Sequence, residues 1–318
     1  MADAFIQARN LKKYFKTPRG MLHAVDDVSL DIQRGQTMGV VGESGCGKST
    51  LGRLMLNLIP PTSGEMLLDG QNIYQLRGAQ TKKMRLRAQM IFQDPYSSLN
   101  PRMSVSEIIA EPMIANGLLK DKREIQARVE KLMDTVGLAQ RFINSYPHEL
   151  DGGRRQRIGV ARALAVNPDF IVCDEPVSAL DVSIQAQILN LMMDLQDEMG
   201  LTYLFITHDL SVVKHISNEI AVMYLGQCVE RVPSNELFRN PLHPYTKALL
   251  SAIPVPDLSA RTAKRQILTG EVRSPIEPKP GCRFAARCPN ATEACQQYSC
   301  QLKEVEPGHF VACALYEQ

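Results

Sequence analysis

The sequence predicts an α/β fold in which a mainly parallel sheet is flanked by helices. Apolar strands alternate with helices along the chain, at residues 37–41, 51–58, 170–173, 184–199 and 202–207. A glycine-rich loop joins the first of these strands to the first helix, and two carboxylates directly follow the strand at 170–173. Both features are typical of the edge of a parallel sheet, where strands end at a site.

Further segments add two subdomains to this core. Short strands at 5–8, 23–32 and 65–68 predict an antiparallel β-subdomain near the N-terminus, with an Asp69-Gly70 turn after the last strand. A strand at 89–92 ends before Gln93. Helical spacing then dominates and predicts a helical insertion at about 95–165. Its helices are expected at 104–115, 122–136 and 153–166.

The last part of the chain has a different composition. Prolines become frequent beyond Val232, which predicts a domain at 1–232 and a loop-rich C-terminal extension at 233–318. The 318 residues are 44% hydrophobic, enough for one large domain with an appendage.

Charge and hydropathy exclude several functional classes. The net charge of +2 provides no strong field for a polyanion, so we expect no nucleic-acid partner. The sequence contains no run of about 18 apolar residues, which is the length that a membrane-spanning helix needs. Met1 to Lys16 contains no apolar signal region, so we expect a cytosolic chain with reduced thiols.

The glycine-rich loop matches the G-x-x-x-x-G-K-[ST] pattern of phosphate-binding loops in full. Lys48 is expected to reach the β- and γ-phosphates of a nucleotide, and the Ser49 hydroxyl to hold Mg²⁺. The start of the following helix adds a positive dipole. A glycine turn with a chance lysine is the alternative. The loop residues are Gly42, Glu43, Ser44, Gly45, Cys46, Gly47, Lys48, Ser49 and Thr50.

Polar residues at three other strand ends complete a nucleotide-hydrolysing P-loop ATPase core. Asp174 is placed to act on the Mg²⁺, and Glu175 to act as base or orienter for the attacking water. Gln93 is expected to contact Mg²⁺ and that water, and His208 the γ-phosphate. Strand-end acids and single histidines are also common as solvated surface residues, so these assignments depend on the loop upstream.

Residues 148–157, His-Glu-Leu-Asp-Gly-Gly-Arg-Arg-Gln-Arg, resemble the Leu-Ser-Gly-Gly-Gln signature loop of ABC ATPases. With residues 178–181, Ser-Ala-Leu-Asp, the resemblance extends over residues 5–232. It implies two subunits packed head to tail, with each ATP between one phosphate loop and the other signature loop. It also implies an aromatic stack on adenine, with Phe15 the better match and Tyr14 its neighbour. Further nucleotide contacts are implied for Asp151, Gly152, Gly153 and Asp181. The helical insertion and the Gln93 region would form a groove for a membrane subunit.

The signature loop departs from the family pattern at two positions, where Asp151 replaces serine and Arg154 replaces glutamine. The missing serine hydrogen bond is worth about 1 kcal/mol. A carboxylate about 4 Å from a phosphate charge, at an effective dielectric near 20, costs about 4 kcal/mol. The direction of Arg154 is open. We therefore expect a heterodimer whose competent site combines this chain's catalytic residues with an intact signature loop of a second ATPase subunit.

Two more segments resemble the ATPases of oligopeptide and dipeptide importers: residues 240–250, Asn-Pro-Leu-His-Pro-Tyr-Thr-Lys-Ala-Leu-Leu, and residues 93–101. This implies two transmembrane permease subunits, indirectly a substrate-binding protein, and a location on the cytoplasmic face of the membrane. That family also carries nickel, glutathione and oligosaccharides. A soluble ABC ATPase without a transport role is the alternative class.

Five of the eight cysteines follow residue 281. Cys282, Cys288, Cys295 and Cys313 resemble the cysteine tail of the same family, for which a [4Fe–4S] cluster is implied. Four thiolates also suit structural Zn²⁺, and unliganded thiols remain an alternative. Cys300 is expected to be a spare thiol.

Overall fold

The structure, a computed structural model, describes residues 4–253, 274–297 and 301–316. The chain divides into two units, one formed by Met1–Tyr74 with Phe205–Gln318 and the other by Gln75–Leu204. We call these the loop unit and the helical unit.

The strands are β1 (Ile6–Thr17), β2 (Gly20–Ile32), β3 (Thr37–Val41), β4 (Ser63–Leu68), β5 (Gln71–Asn72), β6 (Ala88–Ile91), β7 (Phe170–Asp174), β8 (Thr202–Ile206), β9 (Glu219–Tyr224), β10 (Gln227–Pro233), β11 (Lys303–Glu306) and β12 (His309–Val311). The α-helices are α1 (Lys48–Met55), α2 (Ala79–Arg87), α3 (Pro95–Ser98), α4 (Val105–Asn116), α5 (Lys122–Thr135), α6 (Gly152–Leu164), α7 (Val182–Met199), α8 (Leu210–Ile216), α9 (Ser234–Arg239) and α10 (Pro244–Ser251). These elements confirm the predicted α/β fold with its antiparallel N-terminal strands and its helical insertion.

The loop unit contains a four-stranded sheet in the order β2-β1-β4-β5, in which neighbouring strands pair antiparallel. A second sheet runs β11-β12-β10-β9-β3 and continues into the end of β8. Strand β3 is parallel to β9, with Met38 opposite Glu219. Every residue of β3 is buried, as expected for a parallel strand covered on both faces.

The helical unit contains the start of β8 beside β7, and β6 pairs with β7 in parallel, with Ala88 opposite Phe170. Helix α4 begins with a capping box: Ser104 accepts from the Glu107 N–H, and the Glu107 carboxylate accepts from the Ser104 N–H. Gly117 follows α4 and caps its C-terminus, and its φ of 68° is the left-handed conformation that glycine adopts without strain.

The extension contributes to the sheet of the loop unit. Strand β12 pairs antiparallel with β10, with Glu230 opposite Val311, and β11 pairs with β12. The predicted boundary at residue 232 stays a prediction. Within the described residues, no helix is both long enough and apolar enough to cross a membrane.

Candidate nucleotide site

The phosphate loop lies in the loop unit, between β3 and α1, and its backbone requires glycine. Gly47 has φ of 107°, and a Cβ there would lie 2.0 Å from the Ala24 carbonyl oxygen. Gly42 has φ of 151°, and its Cβ would lie 2.1 Å from the Met223 carbonyl oxygen. No other residue type fits these two positions without a backbone shift.

Lys48 begins helix α1, and its ammonium group turns back into the loop. The Nζ atom donates to the carbonyl oxygens of Gly42 at 2.8 Å and Glu43 at 3.0 Å. The loop is therefore closed around a cation at the helix N-terminus, where the dipole adds positive charge. This combination fits a polyphosphate. Ser49 follows in the first turn of the helix, and His208 is exposed just after β8.

The two aromatic residues predicted at the adenine lie in β1 and differ in their surroundings. The Tyr14 ring stacks on His23, with centroids 3.8 Å apart, and its hydroxyl donates to Asp26 Oδ1 at 2.5 Å. Phe15 is 37% exposed, with Lys13 Nζ 5.0 Å from its ring centroid. One face of Tyr14 is thus covered within the unit, whereas Phe15 keeps exposed surface.

Asp26 of β2 joins Tyr14 of β1 to Arg283 of the extension, and no sequence pattern had indicated this residue. It accepts hydrogen bonds from Tyr14, from His23 Nδ1 at 3.1 Å and from Arg283 of the extension. Burial acts to raise the pKa of Asp26, but the hydrogen bonds from Tyr14 and His23 and the charge of Arg283 lower it overall. Its charged form is therefore favoured.

Asp174 and Glu175 lie in the helical unit, at the end of β7. Asp174 is buried, and Glu175 has φ of 47°, which is unusual for a residue with a side chain. Gln93 Nε2 donates to Glu175 Oε2 at 3.0 Å. The Ser178 N–H and hydroxyl both donate to the Glu175 carbonyl oxygen, at 3.3 and 3.1 Å. The structure thus brings two of the predicted catalytic residues into direct contact, on a locally strained backbone.

The signature loop lies in the same unit, where Asp151 caps helix α6. Its Oδ1 accepts from the Arg154 N–H at 2.8 Å, and its Oδ2 accepts from Arg154 Nη1 at 2.5 Å. The direction of Arg154, which was open from the sequence, is towards Asp151. The pair is more than 40% exposed on both sides, so its strength is screened by water.

The glycines of the signature loop pack against the segment after Glu175. A Cβ on Gly153 would lie 2.6 Å from Ile184 Cγ2, and one on Gly152 would lie 3.0 Å from Leu180 Cδ2. Asp181 caps α7, accepting from the Ser183 hydroxyl at 2.7 Å and the Ile184 N–H at 3.0 Å. The hydrogen bond from Ser183, followed by the one from Ile184, lowers the pKa of Asp181.

The cysteine tail lies in the loop unit. The Cys282 N–H donates to the Cys295 carbonyl oxygen at 2.7 Å. Burial raises the pKa of Cys313, and nearby Cys282, Cys288 and Cys295 raise it further, so the four thiols share one region. No three Cys, His, Asp or Glu side chains in the described part of the chain converge to hold a metal ion. The set is thus chemically suitable for a cluster or Zn²⁺ but is not arranged as a closed cage. Cys300 lies outside the described residues.

Comparison with known families supports this interpretation. The profile of the ABC transporter family matches residues 25–178, and that of the oligopeptide/dipeptide transporter C-terminal region matches residues 229–295. Two relatives from Bacillus subtilis (strain 168) are similar over nearly their full length. The oligopeptide transport ATP-binding protein OppF is 51% identical over 98% of this chain and 97% of its own length. AppF, which carries the same description, is 50% identical over 99% of this chain and 98% of its own length.

Solved structures with the same fold include a nucleotide complex. A dimer of the ATP-binding cassette MJ0796 in a post-hydrolysis state with ADP and Pi is 29% identical, with a TM-score of 0.66. The match covers 72% of this chain and 98% of the MJ0796 chain. The cbiO1 protein from Clostridium perfringens, part of the cbiONQ transporter complex, is 26% identical, also with a TM-score of 0.66, over 75% of this chain and 92% of its own.

Proposed function

The chain belongs to the ABC transporter family and is an ATPase of that family, and we propose that it powers the uptake of di- and oligopeptides. It would act on the cytoplasmic face of a membrane, docked on two permease subunits and served by a substrate-binding protein. The observation that carries the proposal is the complete phosphate loop followed by an extension of the oligopeptide/dipeptide transporter type.

Peptide cargo is supported by relatives that are half identical over the whole chain and are described as oligopeptide transport proteins. The cargo is selected outside this subunit, so nickel, glutathione and oligosaccharides are the competing substrates. Uptake of labelled di- and oligopeptides by cells with and without this gene tests the choice. Loss of peptide uptake with unchanged nickel, glutathione and oligosaccharide uptake supports the proposal, and the reverse pattern contradicts it.

Within the site, each residue has a proposed task. Lys48 and the loop N–H groups bind the β- and γ-phosphates, and Phe15 stacks on adenine, with Tyr14 held beside it. Glu175 orients the attacking water and accepts its proton, and Gln93 fixes the Glu175 carboxylate through the 3.0 Å hydrogen bond. His208 contacts the γ-phosphate.

Mg²⁺ is proposed to bind through oxygen atoms of Ser49, Gln93 and Asp174. Hard oxygen ligands of this kind suit Mg²⁺. When bound, the ion neutralises the charge that develops on the phosphate oxygens.

An asymmetric pair of ATP sites is proposed from the signature loop. Asp151 has no hydroxyl to donate to a γ-phosphate, and both of its carboxylate oxygens accept hydrogen bonds from Arg154. Arg154 offsets part of the repulsion expected from an isolated carboxylate, but it does not replace the missing donor. The site that uses this loop is therefore slow, and the competent site joins this chain's catalytic residues to a second ATPase subunit with an intact signature loop.

ATP turnover by the purified chain alone tests the asymmetry. We expect weak hydrolysis without the second subunit and a large increase in its presence. Robust hydrolysis by a homodimer would contradict the asymmetric pair. Hydrolysis that couples to no membrane complex would leave the asymmetry untouched but would contradict the transport role and favour a soluble ABC ATPase.

The cysteine tail is proposed to hold a [4Fe–4S] cluster on Cys282, Cys288, Cys295 and Cys313, with Zn²⁺ as the second candidate. The support is the ligand chemistry and the shared region of the four thiols, which must draw closer to bind. Iron, sulfide and zinc assays on anaerobically purified protein, with its visible absorbance, test this. Absence of all three elements would show that the thiols are unliganded.

A further inference from the structure

Glu43, the second residue of the phosphate loop, is held by an arginine of the extension. Arg287 Nη1 donates to Glu43 Oε2 at 2.9 Å, and Arg287 Nη2 donates to Glu43 Oε1 at 3.0 Å. The arginine side chain is only 8% exposed and the glutamate 24%. Two parallel charge-assisted hydrogen bonds of this kind fix direction as well as distance.

The backbone of Glu43 is held as well. Its N–H donates to the Tyr245 hydroxyl at 2.9 Å, and Tyr245 is fully buried in helix α10 of the extension. Arg287 also donates to the Tyr224 hydroxyl at 3.3 Å. The rings of Tyr224 and Tyr245 lie 4.6 Å apart, and Phe284 packs against both at 5.3 and 5.4 Å. Arg287 is therefore fixed by a packed aromatic cluster and cannot easily follow Glu43 if the loop moves.

We propose that Arg287 is a positioning residue for ATP, which holds the Glu43 carboxylate away from the phosphates and neutralises it, so that the C-terminal extension takes part in nucleotide binding. An unpaired carboxylate in a loop that surrounds a polyphosphate would repel it. Arg287 lies directly before Cys288, and Arg283, which contacts Asp26 below Tyr14, lies directly after Cys282. Two arginines of the cysteine-bearing segment thus contact Glu43 of the phosphate loop and Asp26 beside Tyr14, which are the proposed phosphate and adenine ends of the site.

The inference rests on the proposed role of the phosphate loop, and four variants of the full chain test it: Arg287→Met, Arg287→Lys, Glu43→Gln and the double variant R287M/E43Q. Equilibrium binding of Mg²⁺–ATP is the measurement. We expect Arg287→Met to weaken binding about tenfold, which corresponds to about 1.4 kcal/mol of binding free energy. Arg287→Lys retains the charge without the paired donors, and we expect it to weaken binding about threefold.

The double variant separates charge positioning from structural support. Removing the carboxylate as well should return the affinity to about that of Glu43→Gln alone, because the repelling group is gone. A double variant as weak as Arg287→Met would overturn the proposal, since loss of packing would then explain the effect. An unchanged affinity in Arg287→Met would overturn it too.

Two control variants test whether the effect is specific to Arg287 and whether the phosphate loop binds ATP. Arg231→Met removes another ion pair of the loop unit, Arg231–Glu219 at 3.4 Å, and should leave ATP affinity within about twofold. Lys48→Ala should abolish binding. Binding that persists in Lys48→Ala would disprove the proposed role of the loop itself, whereas loss of binding in that variant together with an unaffected Arg287→Met disproves only the role of Arg287.

Discussion

The hydrogen bond between Glu230 and His309 should hold strand β12 against the core, and its removal should release that strand. Glu230 is fully buried in β10, and it accepts from His309 Nε2 at 2.7 Å, from the Leu242 N–H at 2.7 Å and from the His243 N–H at 3.0 Å. His309→Ala removes one of these three donors and leaves two.

The size of the effect follows from this count. A hydrogen bond to a charged group contributes about 1.5–3 kcal/mol, whereas a buried charge stripped of its partner costs about 3–5 kcal/mol. Since two backbone donors remain on Glu230, we expect the lower range, about 2 kcal/mol, which corresponds to about 30-fold in an opening equilibrium.

Hydrogen exchange by mass spectrometry measures this opening directly in a peptide that contains residues 309–311. His309→Ala should exchange there about 30-fold faster than the wild type, while β3 is affected much less. Glu306→Ala is the matched control, because Glu306 is 49% exposed and lies 4.0 Å from the other ring nitrogen of His309. Equal exchange in the two variants, or a change below about threefold in His309→Ala, would refute the reasoning.

Three further changes test the site and its surroundings. Gly47→Ala should abolish ATP binding, because its Cβ would lie 2.0 Å from the Ala24 carbonyl oxygen. Gly159→Ala is the control and should bind ATP normally, because nothing lies within 4 Å of the added Cβ. Equal ATP binding by the two variants would contradict the geometry. Asp26 has a lowered pKa, so its stabilisation is complete above the ordinary pKa of aspartate and is lost as the pH falls through the folded value. Asp26→Asn should therefore flatten the fall of the unfolding temperature as the pH drops below about 4, the ordinary pKa of aspartate, and an unchanged slope there would exclude this role. D151S/R154Q restores the usual signature residues and should raise hydrolysis by the isolated chain at least about tenfold, whereas an unchanged rate would place the defect elsewhere.

The sequence predicted the core well because local patterns determine it. The apolar run at Thr37–Val41, the loop glycines and the helical start at Lys48 are contiguous, so their order alone indicates a strand, a turn and a helix. The same holds for Phe170–Asp174 and the capped helix after Asp181.

The contacts of the extension could not be predicted in this way. Glu43 and Arg287 are 244 positions apart, and Glu230 and His309 are 79 apart. Neither pair belongs to a repeating pattern, because each depends on which strands and turns become neighbours after folding. The direction of Arg154 was open for a related reason, since a side chain one turn from a helix cap can point either to the cap or to solvent.

ATP turnover by the complete importer tests the central claim of an asymmetric pair most directly. Glu175→Gln in this chain is compared with the equivalent substitution in the second ATPase subunit. We predict that Glu175→Gln lowers the turnover number by at least about 100-fold, because Glu175 serves the competent site, whereas the change in the second subunit leaves most of the turnover. Equal losses from the two substitutions, or loss only from the change in the second subunit, would contradict the account.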